Sequence, residues 1–580
     1  MTLFKGEKAS KRNPLLSGNP SRSKNISCHL TAFIFAVFMV LGESFYQTNS
    51  WALVFGSVRY MVSSLVRVTF WDIIFYIGIS FIFRKLDSGC LFKAPVLPER
   101  LRNNRYIRKI CSLGSRYAQL VVRYPFRTVF VTLLIINIPY MVFSYPGIFM
   151  GDSATQIAQY PFQTSELSNH HPVMHTLFLG FCLNIGGMAG SWNLGGLIFC
   201  LVQTLLMFAA MAYGIKTLVE IGANKWVYVG IVVYYIIHPR ISAYLFLVSK
   251  DILYADFLTL FYIAFFRLIQ NKMPKRKRDF LILGIASVGM IMARNDGVYV
   301  IVLTLLLALL YKPFRKKALA FIAVAVFTYT MLNQVLYPLM NVTPGSIREM
   351  LSVPFQQTAR YIRDYEEDIT EEEIEIIDKV LDYDVLADSY DPDLSDAVKA
   401  TYHGTNEDLM EYFGVWFQML LRHPGVYIQA TMNNYYQYFY PGETIFNNYS
   451  YSWSEEMMDG LNESFGSDFH FPEIWDTARE TLETVREDFF TIPVLSLLNK
   501  PATYTWAAIL FIVYCLRRKS LVGFIFSMPM IVQMLIFITG PTNGYYCRYE
   551  YPMLVYLPAA IVMGMQLIGE KSTAPQPSAA

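Results

Sequence analysis

The chain has 580 residues, 54% of them hydrophobic, 16% aromatic and only 16% charged, and its mean hydropathy is +0.33. Soluble proteins carry about 25% charged residues, so this composition excludes a soluble globular domain and marks a multi-spanning membrane protein. The net charge of +3 decides nothing by its size; the positions of the charges do.

The chain opens on a basic tail. The first apolar run, "HLTAFIFAVFMVLG", has no small-residue cleavage site after it, so the start reads as an uncleaved signal-anchor. Stretches near the length of a helical crossing follow at 30–46, 66–83, 126–145, 193–214, 226–242, 252–268, 279–293, 297–311, 318–337, 501–516, 521–539 and 552–569. Lys and Arg cluster in the N-terminal tail, from Arg84 to Arg127, in Asn271–Asp279, in Lys312–Lys317 and at Arg517–Lys519. Loops of this kind stay cytoplasmic. Keeping all five on one side predicts about twelve spans with both termini cytoplasmic. It also forbids a full crossing by Pro172–Gly187, "PVMHTLFLGFCLNIGG", which is apolar but short. That segment reads as a re-entrant or interfacial helix on the outer face.

By this parity, Ser144–Thr176, His238–Asp251, Ala293–Asp296 and Gly540–Pro552 all lie on the outer face. Asp152 stands among small and apolar residues in "GIFMGDSATQ". A partly desolvated carboxylate has a raised pKa and can serve as a general base near neutrality. It can also ligate a divalent cation, and Asp or Ser at this point caps a short helix. His171 and His175, in "NHHPVMH", fall one helical turn apart after Pro172. That spacing can chelate a metal, but no third ligand follows, and imidazoles lining a pocket mouth is the plainer reading. Lys250, Asp251, Arg294 and Asp296 begin or end spans. They anchor the interface or line a site for an anionic head group. Arg548 and Tyr549, with Tyr545 and Tyr546, form a belt or a phosphate clamp just before the last span.

From 338 to 500 no clean span appears. An acidic stretch there has helical periodicity and reads as solvated amphipathic helices. Met410–Gly442 is aromatic and amphipathic, as interfacial helices are, and Pro424 divides it. Three sequons, at Asn341, Asn448 and Asn462, are glycan acceptors only in a secretory pathway that uses them. The last residues, "STAPQPSAA", read as a disordered tail. Seven scattered cysteines without CxxC spacing suggest neither a disulfide framework nor a zinc ribbon. No Walker loop, HExxH or GxSxG element is present, and the basic clusters are topogenic, so nucleic acid is not an expected partner.

"YPGIFMGDSATQ…NHHPVMHTLFLG", "VSKDILYADFLTLFY", "ARNDGVYVIVLTLLL", "SVPFQQTARYI", "RHPGVYIQATMNNYYQYFYPG" and "GPTNGYYCRYEYP" together resemble a family of bacterial polytopic membrane proteins. That family is similar in turn to the GT-C glycosyltransferases, which use polyprenyl-phosphate sugars. The resemblance covers roughly residues 125–570. It implies an all-α, GT-C-like membrane protein with an outer interfacial helix and a mainly helical extracytoplasmic domain. The expected divisions are 1–125 (tail, two spans and basic loop), 126–337 (membrane core with catalytic outer loop 146–192), 338–500 (extracytoplasmic), 501–571 (three spans) and 572–580 (tail).

The resemblance further implies that Asp152 is the acidic residue of the first outer loop that acts as base or metal ligand, helped by His171 or His175 in deprotonating the acceptor. Ser153 stands where many relatives have a second acid, which leaves a divalent cation (Mg or Mn) open. Lys250, Arg294 and Arg548 would meet the leaving phosphate, and Asp251, Asp296, Gln356, Arg360 and Tyr549 would complete the substrate site. The expected partners are a polyprenyl-phosphate-linked sugar and a glycan, polymer or lipid acceptor of the cell envelope. A transporter or flippase of a lipid-linked saccharide is the alternative. It should show charge at mid-membrane depth and repeat symmetry, and neither is read in the sequence. A non-catalytic scaffold leaves the shared outer face of four titratable segments unexplained.

Overall fold

The computed structural model describes residues 20–93, 98, 103–270, 274, 276–442, 450–541 and 547–569. The start of the basic tail, much of the Asn271–Asp279 cluster, Asn448, Tyr545, Tyr546 and the last eleven residues lie outside them. The described residues are helical, with three isolated β-bridges and no strand.

A helix stands over every apolar stretch named above. The hairpin α1 (Pro20–Thr48) and α2 (Val58–Asp87) comes first, followed by the basic amphipathic α3 (Arg105–Arg123) and by α4 (Pro125–Phe143). After the short α5 (Gly151–Gln159) come α6 (Val173–Met188), α7 (Trp192–Glu220), α8 (Lys225–Ile237), α9 (Lys250–Ile269), α10 (Lys277–Ala293), α11 (Gly297–Ala308) and α12 (Arg315–Thr330). A π-turn carries α12 on to Leu339. Seven helices among the described residues are long and apolar enough to cross a membrane, and five shorter apolar helices accompany them. The chain is therefore an α-helical protein built for a membrane.

Two of the expected spans are broken. The 226–242 span ends at Ile237, because His238 caps a new short helix that begins with Pro239. The 521–539 span divides at Ser527 into Leu521–Phe526 and a second helix that carries Pro529 in its first turn. A proline there has no N–H to give to the preceding turn.

Between 346 and 500 two sets of helices form. α13 (Ser352–Tyr365), α14 (Asn406–Arg422) and α15 (Pro424–Tyr435) bury their own core of Phe355, Tyr361, Tyr412, Met419 and Tyr427. Met410, Phe417, Leu421 and Ile428 leave a second apolar surface bare on the same helices. α16 (Tyr451–Phe465) instead packs Tyr451, Met458 and Leu461 into the main core, with α17 (Asp476–Thr491) beside it. Asn462 turns its amide inward, onto Phe469 O at 2.7 Å, and so does not present a glycan acceptor. α18 (Pro501–Arg517), α19 (Met528–Thr539) and α20 (Tyr551–Gly569) complete the bundle.

The helix directions separate two kinds of charge. Arg267 of α9 pairs with Glu220 of α7 and Asp279 of α10, and Asp87 takes Arg517 at 3.1 Å. These lie where the basic loops gather. The other end of α9, a helix of 20 residues, is at Lys250, about 30 Å away along the helix. Both ends of α6 stay at that second end. His171 precedes it beside Lys250, and the Trp192 amide after it donates to Asp468 at 2.8 Å, next to Phe469 and Phe149. Only α7 continues to the basic end.

Candidate functional site

Two chain segments meet at the start of α5 and α9. Ile148 bridges Leu247 in parallel register: its amide donates to Phe246 O (2.7 Å) and its carbonyl accepts from Val248 (2.9 Å). Gly147 makes the approach possible. Its φ is +147°, and a Cβ there would lie 2.8 Å from Cys200 Sγ, in a backbone region that favours glycine. Gln203 of α7 ties the same loop down by donating to Leu245 O and Leu247 O at 2.8 Å each, since buried carbonyls need partners. Asp152 and Lys250 emerge side by side.

Lys250 Nζ lies 2.9 Å from Asp152 Oδ2 and 3.0 Å from His171 Nδ1. Arg548 Nη1 reaches the same Asp152 oxygen at 3.0 Å. An ammonium only donates, so His171 Nδ1 accepts and its proton sits on Nε2. Burial and the neighbouring Lys250 push the His171 pKa down to about 2. For Asp152 burial works upward, but Lys250 and Arg548 together hold the carboxyl well below the usual range. This corrects the expectation of a raised pKa: desolvation is present, and two cations outweigh it. Asp152 sits in the first turn of α5, where a carboxylate suits the helix dipole. It is not the cap. Met150 stands at the cap position, and its amide donates to Ser153 Oγ at 2.8 Å.

Behind this triad stands a closed set. Arg294 grips Asp296 with two hydrogen bonds (2.9 and 2.6 Å) and Asp251 with a third (2.6 Å). Its guanidinium lies over Tyr549 (4.8 Å) and Tyr254 (5.3 Å). Arg548 Nε lies 3.9 Å from Asp251 Oδ2 and links the two sets.

Asp152, His170, His171, Lys250, Arg548 and Tyr549 line one side of a polar cavity of about 410 Å³. Further lining comes from Arg348, Glu349, Asp396, Lys399 and Ala400 of the 338–500 segment. The Ser168–Thr343 bridge brings the two sides together, and Asn295 donates to Asn169 O at 3.1 Å to hold the histidine loop. Asp251, Arg294 and Asp296 support the cavity without lining it. His175 faces elsewhere: its Nδ1 is 2.9 Å from Gln156 Nε2, and it borders an apolar cavity. Gln356 and Arg360 also lie apart from the polar lining. Gln356 donates to Asp391 O (2.7 Å), and Arg360 donates to Asn49 O (2.9 Å) after the first helix. Their helix is amphipathic, and its polar contacts close the outer segment against the α1–α2 turn.

The apolar cavity, of about 480 Å³, lies between α6, α7, α9 and α10, lined by His175, Phe178, Leu206, Leu253, Phe257 and Ala293 among others. Its lining lies close to that of the polar one along the chain: Lys250 and Leu253 are one turn apart on α9, and His171 and His175 line the two cavities from a single loop–helix junction. Sequence reasoning missed Asp256, two turns into α9. It is fully buried, and neither carboxylate oxygen has a hydrogen-bond partner among the described residues. This corrects the reading that no charged residue sits deep in a span.

The donor set does not fit a divalent cation. Asp152 Oδ2 is shared by two cations, Asp251 is held by Arg294, and His171 Nδ1 already accepts from Lys250. No group of three or more His, Cys, Asp or Glu poised for a metal stands among the described residues.

No curated protein and no solved structure matches the chain. A family model described as a family of unknown function (DUF6020) matches residues 156–577, which takes in Lys250, Arg294 and Arg548 and starts four residues after Asp152. The chain belongs to the DUF6020 family.

Proposed function

We propose that the chain is a membrane glycosyltransferase that moves a sugar from a polyprenyl-phosphate donor to a cell-envelope acceptor on the outer side. The observation that carries this reading is the pairing of cavities: a polar chamber, whose Asp152 side sets two cations against one carboxylate, lies one turn along α9 from an apolar one between helices. A molecule with a phosphate head and a hydrocarbon chain matches both. The polar volume falls in the range of small-molecule sites, about 300–1,000 Å³. Lys250 and Arg548 meet the phosphate, and the basic end of the bundle faces the cytoplasm.

In the reaction the acceptor oxygen attacks the anomeric carbon and the bond from that carbon to the phosphate oxygen breaks. The charge that develops on the phosphate falls to Lys250 and Arg548, the largest electrostatic demand of the step. The proton of the acceptor hydroxyl goes to Asp152. The incoming phosphate draws Lys250 and Arg548 away from Asp152 and so restores its basicity. His171, neutral with Nε2–H outward, orients Lys250. No step runs through a metal. The test is transfer from labelled polyprenyl-phosphate sugars in reconstituted membranes; absence of transfer from every donor by folded wild-type protein sinks the reading.

Asp256 favours a second reading, a proton-coupled transporter of a lipid-linked saccharide, because an ionisable residue inside a bundle marks a functional path by default. Under the transferase reading Asp256→Asn leaves transfer intact. Under the transporter reading the same variant abolishes proton-driven saccharide movement in vesicles.

A further inference from the structure

The wall that the 338–500 segment adds to the polar cavity has no role in donor binding as derived above. Lys399 is buried there, its side chain 6% exposed, with Glu349 and Asp396 each at 2.7 Å. Arg348 stands beside Glu349 at 3.6 Å. The cavity is thus lopsided. The wall of Lys250, Arg548 and Asp152 carries two cations against one carboxylate, whereas the wall of Arg348, Lys399, Glu349 and Asp396 is balanced. The balanced wall alternates groups that only donate with groups that only accept.

We infer that this second wall is the acceptor subsite, and that it takes a neutral, hydroxyl-rich glycan. The inference rests on the transferase reading and names the substrate class of its other half-site. A hydroxyl both donates and accepts, so adjacent hydroxyls of a sugar satisfy Glu349 or Asp396 and Lys399 or Arg348 at once. An acceptor carrying phosphate or carboxylate would meet two carboxylates, and a cationic one would meet an ammonium and a guanidinium; like charges placed together are strongly unfavourable. The donor phosphate then lies against Lys250, beside Asp152, and the acceptor against Lys399.

The experiment uses full-length protein in proteoliposomes with a polyprenyl-phosphate hexose donor. Neutral oligosaccharides are compared with phosphate-bearing polymers as acceptors, for wild type, Asp396→Asn and Glu349→Gln. Transfer goes to the neutral pool. Each variant raises the half-saturating acceptor concentration about tenfold, the loss of one charge-assisted hydrogen bond, while the half-saturating donor concentration stays in place. Glu349→Gln removes a partner of a buried lysine, so Asp396→Asn, whose carboxylate is 65% exposed, keeps the test decisive if the first variant does not fold. Preference for phosphate-bearing acceptors overturns the inference, and so does donor turnover with unaltered acceptor dependence in Asp396→Asn. Failure of the wild type to turn over any donor removes the transferase reading and the subsite with it.

Discussion

The two ends of α9 each hold a knot of charges, and they differ in how they are closed. At the basic end Asp279 is 0% and Arg267 1% exposed. Tyr213 donates to Asp279 at 2.8 Å, and the Arg276 amide that begins α10 donates to the other oxygen at 3.4 Å. Glu220, at the rim of this knot, keeps 26% of its side chain exposed, but the Arg267–Asp279 pair at its centre is closed on all sides by the fold. At the other end Asp152 keeps 23% of its side chain exposed and Lys250 and Arg548 13% each, all toward a cavity. The first knot joins three helices; the second is open to something outside the chain. Buried ion pairs contribute little net stability against apolar replacements, yet breaking one partner is strongly destabilising. The openness of a charge network therefore tells more about function than the strength of its contacts.

Exchanging the two knots' roles by mutation tests that contrast. Asp152→Asn is expected to lower the transfer rate by about 10²–10⁴-fold, the range for a general base, with no loss of folded protein. Retention of full activity in this variant moves the base elsewhere, first to His171. Arg267→Ala is expected to do the reverse. Losing the buried partner of Asp279, with only the exposed Arg278 left at 3.7 Å, costs up to about 3–5 kcal/mol, read as a lower denaturation midpoint in detergent, while turnover per folded molecule stays at the wild-type level. Equal loss of turnover and stability in both variants would erase the distinction between open and closed knots.

Much of this architecture is legible in the chain. The apolar runs locate the helices, and counting basic loops separates the polar segments that hold Asp152, Lys250, Arg294 and Arg548. What escapes is set by long-range packing. The direction of the Asp152 pKa depends on Lys250, 98 residues away, and on Arg548, 396 residues away; local composition shows only the desolvation. Lys399 sits in a run of acids that reads as a solvated face, and its burial follows from Glu349, 50 residues earlier. Asp256 is a single carboxylate inside "LYADFLTLFY", too little charge to disturb the hydropathy of a span. Gln356 and Arg360 failed for a related reason: an amphipathic helix announces a buried face, but not which surface buries it.

The smallest expected effect is also the most specific to the open knot. His171 is held neutral in the folded state, its pKa pushed down to about 2 by burial and Lys250, against about 6.5 in an unfolded chain. The unfolded chain therefore binds a proton that the folded one refuses, and stability falls as pH drops below the ordinary histidine value. Between pH 6.5 and 5.5 the slope approaches its full value, about 1.4 kcal/mol per pH unit for one such group. Asp152 works at the other extreme. Its depressed pKa contributes stability that is present above the ordinary carboxylate value and is lost only at lower pH, so it does not mask the histidine. Unfolding in detergent across pH 5–7, wild type against His171→Gln, isolates the effect: the variant flattens the slope. An unchanged slope means that His171 takes up a proton in the folded state, and then Lys250 cannot be its donor.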